Sequence, residues 1–213
     1  MSDPRIIPLG ESAFIIRLSD QLDRAANTRA RALADAIDVM SLPGITDVVP
    51  ANCSVGVYFE NPANAAELEQ TLAGVLRAEA PGNPAAESIT HEVPVNYNGP
   101  DLPGVAEVCG LPVSRVIEIH SSVEYQVFAI GFAPGFAYMG EVDERISVPR
   151  RGQPRTRVPA GSVAIANRQT AVYPFETPGG WNLLGTTSVL PFDIGREPAA
   201  LFRVGDRVRF RPS

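Results

Sequence analysis

The sequence contains no lysine, and all 18 of its basic residues are arginine. A chain without lysine cannot form a Schiff base through its own side chains, and it cannot supply the lysine of a phosphate-binding P-loop. Only two cysteines and two histidines are present, and neither pair has the spacing of a zinc site. No apolar run approaches the ~18 residues of a membrane span, and the first 17 residues lack a secretory signal pattern. We therefore expect a cytoplasmic protein with no metal site of its own and no membrane contact.

The charge is acidic overall but unevenly distributed along the chain. The formal net charge of −6 argues against a nucleic-acid-binding protein. Residues 1–90 carry 12 acidic and 6 basic side chains, whereas residues 91–213 carry 12 of each. Between Arg145 and Phe175 there are six arginines and no acid. Such a stretch predicts a local anion-attracting surface in the second half of the chain.

Two different periodicities divide the 213 residues. The first 95 residues follow the order β-β-α-β-β-α-β, which is typical of an α+β sandwich with two helices on one face of an antiparallel sheet. After Glu124 the pattern changes to short apolar runs separated by glycine and proline, which favours a compact β domain or barrel. Prolines and glycines cluster within residues 81–100. The sequence therefore predicts two domains, at residues 1–95 and 96–213.

The helices of the first half have clear sequence limits. Apolar residues at steps of three and four predict a helix over Gln21–Met40, with Asp20 as its N-cap. The same spacing predicts a second helix over Ala63–Ala80, which Pro81 would end.

The most distinctive segment is an arginine-rich stretch between prolines. Four arginines lie within Val148–Pro159, namely Arg150, Arg151, Arg155 and Arg157. Guanidinium groups bind carboxylate and phosphate in a bidentate fashion, and proline stiffens the segment that presents them. The alternative is a solvated loop that pairs with nearby acids at Glu141, Asp143 and Glu144. The lack of acids within the stretch favours an anion-binding site.

Two further stretches combine glycine with aromatic residues. The loop Gly131–Gly140 includes Gly135 and Tyr138, and it predicts either a backbone anion nest or a tight corner packed by aromatic rings. The only tryptophan, Trp181, follows Pro-Gly-Gly. It is either an anchor of the barrel core, which we favour, or the floor of a small-molecule pocket. The polar candidates nearby in sequence are Thr170, Tyr173 and Thr186.

His120 is the better of two histidine candidates for acid–base chemistry. It ends a predicted helix beside the glycine and arginine motifs, whereas His91 lies in a strand of the first half. A lone histidine is also common as a structural residue, so both interpretations stay open. Cys53 and Cys109 are interpreted as buried apolar thiols.

Taken together, these stretches resemble one protein family. The matching string runs through His120, the Gly131–Gly140 loop, the arginine-rich segment, Gln169–Pro174 and Pro178–Thr187, and it ends near Val204–Phe210. This order is similar to that of the B-subunit family of 5-oxoprolinases, also called the allophanate hydrolase subunit 1 family or the KipI family. Met139 and Asn167 depart mildly from the family pattern.

The resemblance implies a fold, a reaction and partners. It implies a ferredoxin-like α+β domain followed by a mainly-β cyclophilin-like barrel domain. It implies one chain of an ATP-dependent 5-oxoprolinase complex that converts 5-oxo-L-proline to L-glutamate through a phosphorylated amide oxygen. The expected partners are the C subunit of 5-oxoprolinase, in direct contact, and its A subunit, with self-association through the N-terminal domain as a further expectation. ATP would be shared with a partner, and Mg²⁺ would be held outside this chain.

The resemblance also implies site roles. Catalytic roles fall to His120, Arg155 and Arg157. Substrate or anion binding falls to Arg150, Arg151, Gly131, Gly135, Tyr138, Thr170, Tyr173, Trp181 and Thr186. Other branches of the family imply two alternatives, a regulatory inhibitor of a sensor kinase and one component of a urea- or allophanate-processing carboxylase.

Overall fold

The computed structural model describes residues 4–78 and 88–213, which form two compact units, Met1–Ser88 and Ile89–Ser213. The predicted end of the second helix at residues 79–80, and the prolines and glycine at residues 81–84, lie outside the described residues. No helix of the described part of the chain combines the length and apolar character needed to cross a membrane.

The first unit is a four-stranded antiparallel sheet with two helices. Its strands are β1 Arg5–Pro8, β2 Ala13–Arg17, β3 Ile45–Ala51 and β4 Ser54–Phe59, and its helices are α1 Arg24–Val39 and α2 Ala65–Arg77, the latter preceded by a 3₁₀ turn at Pro62–Asn64. The strand order is β1-β2-β4-β3. In β4 the alternate residues Val55, Val57 and Phe59 are buried, as expected for a sheet with one covered face.

Helix α1 packs on this sheet through a narrow apolar face. Ala30, Leu33 and Ile37 recur at helical spacing and join the same core cluster as Val55 and Val57. The observed start of α1 differs from the prediction, because Asp23 rather than Asp20 is the N-cap. The Asp23 carboxylate accepts hydrogen bonds from the Ala25 and Ala26 backbone N–H groups at 3.3 and 3.0 Å.

Replacing Asp23 with alanine is expected to lower the free energy of unfolding of the first unit by about 1 kcal/mol, because two helix N–H groups lose their acceptor. Urea unfolding measures this change. Asp35→Ala is the matched control, since Asp35 lies exposed on the same helix away from its ends. Equal losses in the two variants would contradict the assigned cap.

The second unit contains most of the strands. Its elements are β5 Thr90–Val95, α3 Leu102–Cys109, α4 Val113–Ser122, β6 Glu124–Ile130, β7 Ala137–Gly140, a 3₁₀ turn Glu144–Ile146, β8 Arg155–Val158, β9 Ser162–Ala166, β10 Gln169–Val172, β11 Thr177–Gly179, β12 Asn182–Thr186 and β13 Arg207–Pro212. Seven strands form one sheet in the order β12-β9-β10-β7-β6-β13-β5, and β8 pairs separately with β11. All neighbours are antiparallel except β13 and β5, which run parallel.

The seven-stranded sheet is nearly closed into a barrel. Its two edge strands are β12 and β5, and an isolated bridge joins Thr186 of β12 to Asn96, the residue after β5. Two backbone hydrogen bonds, of 2.9 and 2.8 Å, make this bridge. A side chain at Gly185 would collide with the Asn96 carbonyl, so glycine permits the two edges to approach.

The predicted fold class is wrong in its N-terminal part. A ferredoxin-like β-α-β-β-α-β unit requires the strand after its second helix to join the same sheet. Here that strand is β5, and it belongs to the seven-stranded sheet, where it pairs with β13. The described chain is therefore a mainly-β structure with a nearly closed barrel sheet and four α-helices, without a separate ferredoxin-like domain.

Candidate functional site

An aromatic pocket lies in the second unit, with a volume of about 170 Å³. Its lining residues are Phe132, Phe136, Tyr138, Arg150, Tyr173, Pro178, Gly179, Gly180 and Trp181. They come from the loop after β6, from β7, from the arginine-rich segment and from the stretch between β10 and β12. Four predicted binding residues, Arg150, Tyr138, Tyr173 and Trp181, are therefore brought together. We call this cavity the aromatic pocket.

Phe136 organises the walls of the aromatic pocket. Its ring lies 4.9 Å from that of Tyr138, 5.2 Å from that of Tyr173 and 5.7 Å from that of Trp181, measured between ring centroids. All three pairs meet edge to face, a favourable geometry for aromatic rings. Trp181 is only 5% exposed, so it belongs to the core and also forms part of the pocket wall.

Two glycines allow this packing. Gly135 has a φ of +76°, and a Cβ there would lie 2.7 Å from the Phe192 Cβ and 2.9 Å from the Pro191 carbonyl oxygen. A Cβ at Gly179 would collide with the Tyr173 hydroxyl. The loop of Gly135 thus forms a tight corner packed by rings, one of the two interpretations of its sequence. Gly131, by contrast, has open space around it.

Arg150 stands over Trp181, with its guanidinium carbon 5.9 Å from the ring centroid. The residues on either side of Arg150 are fixed to the residues on either side of Trp181. The Arg151 N–H donates to the Gly180 carbonyl at 2.7 Å, and the Asn182 side-chain amide donates to the Pro149 carbonyl at 2.9 Å. These hydrogen bonds join the backbone segments around Arg150 and Trp181. The guanidinium therefore lies within cation–π distance of the indole.

A buried carboxylate pairs with the next two arginines. Asp101 is 9% exposed, and it accepts from Arg151 Nη1 at 2.6 Å and from both terminal nitrogens of Arg155 at 2.8 Å. It also accepts from the Leu183 backbone N–H at 2.8 Å. Burial alone would raise the pKa of Asp101, but the hydrogen bonds from Arg155 and Leu183 and the two arginine charges hold it below its ordinary value.

The acids considered as partners for the arginine-rich segment are occupied elsewhere. Asp143 pairs with Arg145, while Glu141 and Glu144 both pair with Arg168. Arg157 is 80% exposed and lies 3.6 Å from Glu176. Among the described residues, Arg150 has no carboxylate within ion-pair distance, so its guanidinium lines the aromatic pocket without a carboxylate partner.

The two tyrosines of the pocket remain protonated at neutral pH. Burial raises the pKa of Tyr138, opposed by the charge of Arg150. Burial likewise raises the pKa of Tyr173, opposed by a hydrogen bond from the Trp181 backbone. Both hydroxyls consequently keep a proton that they can donate to a ligand.

His120 and Thr170 lie in the core rather than at the aromatic pocket. His120 is fully buried, and its ring nitrogens contact the Tyr97 hydroxyl at 2.7 Å and the Thr170 hydroxyl at 3.0 Å. Thr170 itself donates to the Ala164 carbonyl, so His120 Nε2–H donates to Thr170 and Nδ1 accepts from Tyr97. Burial lowers the pKa of His120 to about 3, which keeps the ring neutral.

The remaining candidates are dispersed. Thr186 takes part in the bridge that closes the barrel, and its hydroxyl donates to the Asn98 side chain at 3.1 Å. The described residues contain no cluster of three or more metal-binding side chains. Sequence reasoning missed Asp101 as part of the site, and it considered Phe136 only as one of the rings that pack the corner of the Gly131–Gly140 loop. An arginine-rich stretch with no local acid could have prompted a search for a distant carboxylate, but no spacing identifies Asp101.

Comparison with known proteins gives closely related sequences. The chain matches the family of the carboxyltransferase domain, subdomains C and D, over residues 4–202. It is 41% identical over 217 residues to the 5-oxoprolinase B subunit of Escherichia coli O157:H7, covering 100% of this chain and 97% of that protein. It is 36% identical over 219 residues to the 5-oxoprolinase B subunit of Bacillus subtilis (strain 168), covering 97% and 91%.

Solved structures share the fold. The structure of TTHA0988 aligns with a TM-score of 0.82 at 40% identity, covering 94% of this chain but 40% of that one. This chain therefore spans about two fifths of TTHA0988. The urea amidolyase of K. lactis aligns with a TM-score of 0.81 at 18% identity, covering 100% of this chain and 15% of that one. At that identity the likeness concerns the fold alone.

Proposed function

Because the chain belongs to the B-subunit family of 5-oxoprolinases, we propose that it is the B subunit of a cytoplasmic, ATP-dependent complex that opens 5-oxo-L-proline to L-glutamate. The observation that carries this proposal is the 41% identity to a protein of that name along the full length of the chain. Its proposed partners are a C subunit, in direct contact, and an A subunit.

The aromatic pocket supports a binding role for this chain. It presents one guanidinium and two phenol hydroxyls between apolar rings, a set suited to holding a small organic anion. The pocket contains no histidine, carboxylate or thiol, so its described lining offers no general base. We propose that the pocket holds a reactant. Groups outside the pocket would carry out the proton transfers.

The aromatic pocket is small for a nucleotide. The pocket volume of about 170 Å³ is below the ~300 Å³ at which pockets for larger organic ligands begin. The described residues also lack a carboxylate cluster of the kind that holds Mg²⁺. We therefore propose that ATP and Mg²⁺ are held mainly by a partner chain.

The test is 5-oxoproline-dependent ATP hydrolysis by the chain co-expressed with its A and C subunits. We expect ATP turnover and glutamate formation only when all three chains are present, because in this proposal the B chain holds a reactant while a partner chain holds most of the nucleotide. Each of the three chains is omitted in turn as a control.

Other outcomes of this assay would contradict the proposal. Turnover of urea that requires a biotinylated partner would indicate the carboxylase branch. A chain that forms no complex but inhibits a sensor kinase from the same cell would indicate the regulatory branch.

A further inference from the structure

We infer that the aromatic pocket is the receptor for the substrate itself, a five-membered lactam ring that carries one carboxylate. This inference rests on the proposed function, which gives the pocket a reactant but states neither which reactant it is nor how each of its groups is held. It assigns the carboxylate to Arg150, the ring to the aromatic walls and the lactam carbonyl to a tyrosine hydroxyl.

The charge of the pocket selects an anion. Arg150 is the only charged residue in its lining, and it has no carboxylate partner among the described residues. Arg151 and Arg155 both pair with Asp101, whose single negative charge offsets one of their two positive charges. An aromatic cage without an arginine would attract a cation, but here the guanidinium already covers the indole face. A cationic ligand is therefore repelled, and an anionic ligand is attracted.

The guanidinium of Arg150 keeps donors for a ligand. At 5.9 Å from the Trp181 ring centroid it has no carboxylate partner among the described residues, so its N–H groups can take a carboxylate in a bidentate pair. The hydrogen bonds that flank Arg150 and Trp181 fix this arrangement before a ligand arrives. Such preorganisation reduces the entropy cost of binding.

The size and polarity of the pocket select a small ring with a hydrogen-bond acceptor. A cavity of about 170 Å³ accommodates one ring with its carboxylate but not a nucleotide. Phe136, Trp181 and the two tyrosine rings offer flat apolar surfaces on which a lactam ring can lie. Burial keeps the hydroxyls of Tyr138 and Tyr173 protonated, and a lining hydroxyl of this kind can donate to the lactam carbonyl.

The sequence provides a built-in probe, because Trp181 is its only tryptophan. The indole N–H of the full chain gives one resonance in a proton–nitrogen correlation spectrum, and its shift is followed as ligand is added. We expect 5-oxo-L-proline to move this resonance saturably. The same ring without a carboxylate, 2-pyrrolidinone, is expected to bind about tenfold to a hundredfold more weakly, because it loses the charge-assisted hydrogen bonds.

Variants separate the charge of Arg150 from a general loss of positive charge. Arg150→Gln is expected to weaken 5-oxo-L-proline binding by about the same tenfold to hundredfold while leaving 2-pyrrolidinone unaffected. Arg115→Gln is the matched control, since Arg115 is exposed on α4 and pairs with Glu118. Urea unfolding confirms that both variants are folded.

The inference is overturned by either of two results. One is that 5-oxo-L-proline does not shift the indole resonance, in the chain alone or in the assembled complex. The other is that Arg150→Gln binds 5-oxo-L-proline as tightly as the parent chain does. Active turnover by the three-chain complex without any indole shift would leave the proposed function standing and remove this pocket from it. Saturable binding of 5-oxo-L-proline without turnover by the complex would keep the pocket as its receptor and contradict the proposed function.

Discussion

Replacing Asp101 with alanine is expected to lower the free energy of unfolding of the second unit by about 2–4 kcal/mol. Asp101 is 9% exposed, and its carboxylate is the shared acceptor for two guanidinium groups and one backbone N–H. Removing it leaves two neighbouring cations without an anion and a buried N–H without an acceptor. The arginines are 36% and 24% exposed, and solvent screening places the loss below that of a fully buried pair.

The matched control for this prediction is Asp20→Ala. Asp20 also pairs with two arginines, Arg5 and Arg17, but its side chain is 50% exposed. A loss below about 1 kcal/mol is expected there, because exposed ion pairs are screened by water. Urea unfolding of both variants at neutral pH gives the comparison. Equal losses would show that burial of the Asp101 cluster carries no additional stability.

The Asp101 cluster also has a defined pH response. The pKa of Asp101 in the folded chain lies below its ordinary value of 3.8. As the pH falls, Asp101 therefore takes up its proton in the unfolded chain first. The stabilisation from its ion pairs is present above pH 3.8 and is lost as the pH falls through the pKa of Asp101 in the folded chain. The difference in stability between the parent chain and Asp101→Ala should accordingly shrink in acid.

Replacing His120 with alanine is expected to cost about 3–5 kcal/mol, comparable to removing a buried aromatic ring. The imidazole is fully buried and stacks on Phe210, with ring centroids 4.8 Å apart. Its loss opens a cavity and removes the hydrogen-bond partners of the Tyr97 and Thr170 hydroxyls. If the role of His120 is purely structural, activity should fall only as far as the folded fraction does.

The pH dependence of stability distinguishes this histidine from an exposed one. The pKa of His120 is about 3 in the folded chain against an ordinary 6.5, so below pH 6.5 the unfolded chain binds a proton that the folded chain excludes. Stability is therefore full above pH 6.5 and falls below it. Between pH 7 and pH 5 the parent chain should lose about 2 kcal/mol through this residue.

The control for the pH effect is the variant itself. His120→Ala lacks the titrating group, so its free energy of unfolding should not change through this residue. The difference in unfolding free energy between the parent chain and the variant should therefore shift by the same ~2 kcal/mol between pH 7 and pH 5. Urea unfolding at pH 7 and pH 5 measures both chains. A constant difference would show that the His120 ring takes up its proton over the same pH range in the folded and the unfolded chain, against the lowered pKa. Loss of turnover in a variant of unchanged stability would instead support the predicted catalytic role.

Local patterns predicted the elements of the fold better than their assembly. The apolar spacing of α1 gave its position to within a few residues, because helix formation depends on neighbours three and four apart. The sheet to which β5 belongs could not be predicted in the same way. Its partner in the sheet is β13, more than a hundred residues later in the chain, and nothing in the local sequence of β5 specifies that pairing.

For the candidate site, too, the sequence predicted the segments but not the contacts between distant side chains. The glycine, arginine and tryptophan motifs indicated which segments meet, and Arg150, Tyr138, Tyr173 and Trp181 do line one pocket. The sequence could not show that Asp101 pairs with two of the arginines, since these side chains meet only after the chain has folded. Nor could it show that His120 is enclosed by Tyr97 and Phe210, which come from distant segments.

The place of β13 in the seven-stranded sheet has a consequence for synthesis on the ribosome. The strand made last in this sheet lies between β5 and β6, which are made first. At a translation rate of ~5–20 residues per second, these two strands wait several seconds for their common neighbour. During that interval each presents an unpaired edge, which is a site for misassembly with other nascent chains. The sheet of the first unit, in contrast, is built from strands that emerge together, so it can form while the second unit is still being made.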